Sequence, residues 1–134
     1  MMNINAYIKS QLRTVQGVID NNIPVFHMFA QVPPAGVYIV FYTDHMRTDS
    51  IGGCSNRFLV ELTIQIFSDP TSSVENEIAQ SISCEIINKM DKLEKTTCGV
   101  ADACGIRFWN EDVIDYCGVK TKVWETSYTL EYYK

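Results

Sequence analysis

Residues 57–80 read RFLVELTIQIFSDPTSSVENEIAQ, and the way this stretch alternates and then stops decides the fold. Phe58, Val60, Leu62, Ile64 and Ile66 fall on one side of an extended chain; Glu61, Thr63 and Gln65 fall on the other. A period of two marks a strand with one buried face, because successive side chains leave a pleated backbone in opposite directions. Asp69-Pro70 stops the strand, since proline brings no amide to a sheet ladder. Ser72 stands three residues before Glu75, the spacing of a capping box, which predicts a helix start. Val74, Ile78, Ile82, Ile86, Met90 and Leu93 continue as a helical stripe to about Lys95. Glu75, Glu77, Glu85 and Lys89 lie mostly off that stripe and read as its solvated side.

Towards the N-terminus, residues 43–56 (TDHMRTDSIGGCSN) are polar, contain Gly52-Gly53 and are expected to form a long hairpin loop. At 14 residues that loop exceeds the usual hairpin connection, and loops of such length are more often functional than idle. Its residues Asp44, His45, Met46, Arg47, Asp49, Ile51, Gly52 and Gly53 are therefore the candidate contact residues, reaching a neighbour, a lumen or a docking partner. Residues 37–42 (VYIVFY) are apolar at every position and predict a central strand covered from two sides. QVPPAG (31–36) is a loop, and VFHMF (25–29) a short strand. Ile4, Ile8, Leu12, Val15 and Ile19 predict one helix, with Asn3 as N-cap, Gly17 weakening its last turn, and Asp20-Asn21-Asn22 and Pro24 closing it.

Towards the C-terminus, residues 100–109 and 113–119 are strand candidates separated by Asn110-Glu111-Asp112. Trp124, Thr126, Tyr128, Leu130 and Tyr132 then alternate with Glu125, Ser127, Thr129 and Glu131 in a clean final strand. The order predicts an α+β fold: a mixed or antiparallel sheet with two helices packed on one face. No repeat or linker interrupts it, so residues 1–134 are expected to form a single domain.

The chain carries 11 basic and 16 acidic residues, a formal charge of −5, with the bases scattered. That argues against a free-standing nucleic-acid binder, which needs a clustered basic face. The run VYIVFY falls far short of the roughly 20 apolar residues that span a bilayer, and the first residues carry no secretory pattern. Assembly in a cytoplasm, with no membrane partner, is the expectation. The 5 cysteines include no CxxC pair. A zinc site drawn from Cys98, Cys104 and Cys117 with His27 or His45 lacks the usual paired spacing, so the cysteines are expected to be free thiols or small buried side chains.

A nucleophile needs a base within reach, and only His27 and His45 offer an imidazole. His27, between apolar neighbours, reads as a structural histidine, and His45 as a solvated one. Neither accompanies a nucleophile-elbow motif. Glu111, Asp112 and Asp115 read as a solvated turn, not an acid–base pair, and no phosphate-binding glycine motif occurs. The C-terminal aromatics are interleaved with Glu, Ser and Thr instead of Lys and Arg, so packing is favoured over a single-strand nucleic-acid platform. The expectation is a non-enzyme without cofactor.

The succession PPAGVYIVFYT, RFLVELTIQIFSDP, SVENEIAQSISCEIINKM and ETSYTLEYYK resembles the tail-terminator or tail-completion proteins of tailed bacteriophages and the related head–tail joining proteins. Arg57, Val60, Leu62, Ile64, Ile66, Asp69, Tyr128, Leu130 and Tyr132 carry the match; the Cys-rich residues 97–116 depart from it. The resemblance implies a structural virion protein at the head–tail interface. It implies a homo-oligomeric ring, six-fold or twelve-fold, that contacts portal or adaptor protein and tail tube or tail hub protein, while DNA passes the lumen without specific binding. Two other readings stay open: a small soluble α+β ligand-binding or catalytic domain using Cys104, Cys117 or His45, and an adaptor that dimerises through the C-terminal strand.

Overall fold

A computed structural model describes residues 4–28, 30, 35–51, 55–91, 100–104, 110–116 and 119–133; in 45–51, 55–59, 91, 100–104, 110–116, 119–120 and 131–133 it is the backbone course that is described. The stretch 57–80 folds as its pattern demands. Strand β3 (Ser55–Ser68) leads through Asp69-Pro70 into helix α3 (Ser73–Asp91). The Glu75 amide donates to Ser72 Oγ at 3.2 Å, the forward half of the capping box. The Glu75 carboxylate reaches back past Ser72 to accept from the Asp69 amide at 3.1 Å. Asp69 itself accepts from the amide and hydroxyl of Thr71, at 2.9 and 2.7 Å. Those two bonds hold its carboxyl below the ordinary value of 3.8.

β3 lies inside a six-stranded mixed sheet. β1 (Val25–His27) pairs parallel with β2 (Tyr38–Ile51), β2 antiparallel with β3, and β3 antiparallel with β6 (Val119–Tyr133). The far edge of β6 carries β5 (Asn110–Tyr116) along its first half and β4 (Val100–Cys104) near its end, both antiparallel. The expected separation of two strands by Asn110-Glu111-Asp112 is corrected: these three residues lie inside β5, opposite Glu125, Trp124 and Val123.

Among the described residues three helices, not two, cover one face. The N-terminal stripe breaks into α1 (Ile4–Arg13) and α2 (Gln16–Asp20) at Val15, whose backbone is extended at φ −65° and ψ 129°. At the break the Thr14 hydroxyl donates to the Gln11 carbonyl at 2.7 Å, a local bond that competes with the helical ladder. The break rotates α2, so Ile19, placed on the stripe by its spacing, is 53% exposed. The buried face of α1 and α3 meets Ile39 and Phe41 of β2, Val60, Leu62, Ile64 and Ile66 of β3, and Trp124, Tyr128 and Leu130 of β6 in one apolar cluster. The opposite face holds a smaller cluster of Tyr38, Val40, Phe67, Val123 and Ala30, where the Tyr38 and Phe67 rings stack at 4.7 Å. The expectation that β2 begins as a strand buried on both sides is thus met. Trp124 Nε1 donates to Ser68 Oγ at 3.2 Å, and Ser68 donates to Asn76 at 3.3 Å, tying β6 to β3 and to the start of α3.

Candidate functional site

The candidate contact residues lie in strands, not in a loop. β2 and β3 are paired without interruption of the ladder from Tyr38↔Phe67 to Ile51↔Ser55, apart from one bulge between His45 and Arg47. The predicted loop 43–56 is corrected to the outer half of a long hairpin; Gly52, Gly53 and Cys54 lie outside the described residues. Apolar alternation betrays a strand only where one face is buried, and TDHMRTDS has none to show. Strands of 14 residues extend roughly 45 Å, and β6 runs beside β3 from Ser68 to Arg57, so all but the first two residues of β3 lie inside the sheet.

Register assigns each residue a face. Asp44 stands directly opposite Glu61, on the face turned away from the helices, and both are exposed. His45 stands opposite Val60; Met46 is the extra residue of the bulge, and beyond it the alternation is reset. Arg47 opposite Leu59, Asp49 opposite Arg57 and Ile51 opposite Ser55 therefore fall on the same outer face as Asp44. Thr43, next to these residues on the helical side, donates from its hydroxyl to Asn5 Oδ1 at 2.6 Å and anchors the base of the hairpin to α1. Further along the outer face, Gln65 donates from Nε2 to Glu125 Oε2 at 2.8 Å.

The residues weighed for chemistry are not brought together. His27 is exposed, not enclosed, with its ring 5.2 Å from that of Phe41 at the sheet edge. The side chains of His45, Cys104, Glu111, Asp112 and Asp115, and all of Cys98 and Cys117, lie outside the described residues. Among the described residues no three His, Cys, Asp or Glu side chains gather in metal-binding geometry, and Cys84 on α3 is a free, exposed thiol. No helix among them is long and apolar enough to cross a membrane. Sequence reasoning missed the opposition of Asp44 and Glu61. They are far apart in the chain, and only the register of the hairpin makes them neighbours.

No protein-family model matches the chain, and no curated protein does. Among solved structures, a chain from the virion of a native gene transfer agent particle superposes with a TM-score of 0.67 at 11% identity, covering 95% of this chain and 92% of that one. A second solved protein superposes with a TM-score of 0.54 at 11% identity, covering 97% of each chain. The α+β architecture described above is therefore one that this chain shares, nearly end to end, with a chain from the virion of a gene transfer agent particle.

Proposed function

We propose that this chain is a non-enzymatic structural subunit of a phage-like particle. It forms a six-fold or twelve-fold ring at the head–tail interface, joins the tail tube or hub to the portal or adaptor, and leaves a channel through which DNA passes. The observation that carries this reading is the superposition on a gene transfer agent virion chain over 95% of the length. The charge supports it as well: six copies at −5 give −30, and an acidic channel repels phosphates instead of retaining them.

Deleting the gene in producing cells and imaging the resulting particles tests the proposal. Filled heads and separate tails, rejoined when the protein is supplied again, are the expected result. Normally joined particles in the deletion strain would overturn it.

A further inference from the structure

At the level of the outer half of the hairpin the sheet is four strands wide, and among the described residues both of its edges are bare. On one edge β1 ends at His27; the Met28 amide closes the ladder on the Phe41 carbonyl at 2.8 Å, and β2 runs on to Ile51 paired only with β3. On the other edge β4 is paired only with β6. A bare edge is a template for a further strand.

Register sets the two edges at the same level. One row runs His45, Val60, Leu130, Ala103, and another runs Thr48, Phe58, Tyr132, Val100. Between these rows β3 and β6 each spend one residue, but β2 spends two, with Met46 the extra, and β4 spends two, with Ala101 the extra. Ile39 donates its amide to Pro24 and Phe41 accepts from Met28, so alternate residues of β2 turn their backbone groups towards the β1 side. Carried past the bulge, that alternation turns His45 and Thr48 to the bare edge of β2. Carried across the sheet, it turns Ala103 and Val100 to the bare edge of β4. Both edges thus offer backbone groups at the same two levels, three residue steps apart where an unbulged strand has two.

β2 and β4 also run in opposite directions, so β4 of one copy meets β2 of an equally oriented neighbour as an antiparallel partner. We propose that β4 of one copy pairs edge to edge with the outer half of β2 of the next, each sheet continuing into its neighbour. A bulge turns ordinary strands away from an edge, and here it becomes the register key for the one strand that carries a matching bulge. The inference rests on the ring reading. Repeated around a closed ring, this head-to-tail contact covers both edges of every copy, whereas two β2 edges joined about a two-fold axis leave β4 bare.

Asp44 and Cys104 share the neighbouring row and supply the test. In the proposed contact they oppose each other across two copies as a non-hydrogen-bonded pair, with Cα atoms about 4.5 Å apart. That is within disulfide reach; inside one copy the same positions are three strand spacings, about 14 Å, apart and beyond it. Asp44→Cys, mildly oxidised after assembly, should therefore link copies through Cys104. Non-reducing electrophoresis should show masses rising in single-copy steps, and peptide mass mapping should find the bond between positions 44 and 104. Adding Cys104→Ser should abolish that bond. Thr48→Pro removes an amide that faces the bare edge and not β3, so the variant should still melt cooperatively while the concentration needed for assembly rises about tenfold or more in sedimentation velocity. If the wild type assembles but Asp44→Cys gives no bond to Cys104, or a folded Thr48→Pro assembles like the wild type, the edge pairing is overturned and the ring reading stands. A wild type that is monomeric at every concentration overturns both, and one that stops at two copies overturns the head-to-tail form.

Discussion

Replacing Gly17 by alanine sets helix propensity against close approach. By propensity alone, alanine in a helix gains up to about 1 kcal/mol over glycine, less in a first turn such as this one. In the fold, a Cβ on Gly17 meets Glu85 Oε2 at 2.5 Å and Ile82 Cγ1 at 2.9 Å. The carboxylate end can swing aside, but doing so breaks the 3.0 Å bond that Glu85 accepts from the Gly17 amide. A hydrogen bond to a charged group contributes about 1.5–3 kcal/mol. Ile82 cannot swing: it is 1% exposed, inside the main core, and displacing it costs about 1–3 kcal/mol. The losses exceed the gain, so Gly17→Ala should destabilise by about 2 kcal/mol, lowering the melting temperature by roughly 6–10 °C in a domain of this size. Chemical denaturation followed by circular dichroism reads the change. In a Glu85→Ala background the penalty should shrink, since the carboxylate is no longer there to be displaced. A Gly17→Ala protein as stable as the wild type, or more so, refutes the packing of α2 on α3 described here.

Other substitutions probe the remaining elements. Ser72→Ala removes the acceptor for the Glu75 amide and should cost about 1 kcal/mol in the same denaturation assay. Thr126 is 1% exposed and its Oγ1 has no hydrogen-bond partner among the described residues, so Thr126→Val should stabilise by about 1 kcal/mol; a loss of stability contradicts that assignment. Removing residues 126–134 takes away the half of β6 that pairs with both β3 and β4, and should abolish cooperative unfolding altogether instead of merely dissociating an assembly. Asp69 has its folded pKa lowered from 3.8, so its contribution is fully present above about 3.8 and is lost as pH falls through the folded value. In an acid titration monitored by circular dichroism, Asp69→Ala should therefore flatten the stability curve below pH 3.8 and leave its slope at neutral pH unchanged.

The parts of the fold that sequence reveals are those in which one face is buried. Leu62, Ile64 and Ile66 against Glu61, Thr63 and Gln65 announce β3, as Trp124 to Leu130 announce β6, and both strands end up with the apolar set against the helices. Ser72 and Glu75 announce α3 because capping is local chemistry, satisfied within a few residues. The outer hairpin stays hidden because its strands are held by their ladder, which any sequence can form, while its polar residues imitate a loop. The same holds for Asn110 to Asp112, which are strand residues only because β6 lies beside them. The break between α1 and α2 is invisible to periodicity, since Val15 is buried whether or not the helix continues through it. The faces on which the candidate contact residues lie could not be read from the sequence. The bulge at Met46 reverses the alternation, so counting from Asp44 sends Arg47 and Asp49 to the wrong side.

The ring is the central claim, and the native mass of the purified protein across a wide concentration range tests it most directly. Light scattering coupled to size exclusion, followed by imaging of the peak, should give a closed species of six copies of 15.2 kDa, about 91 kDa, or of twelve, about 182 kDa. A particle that remains at 15.2 kDa at every concentration contradicts it.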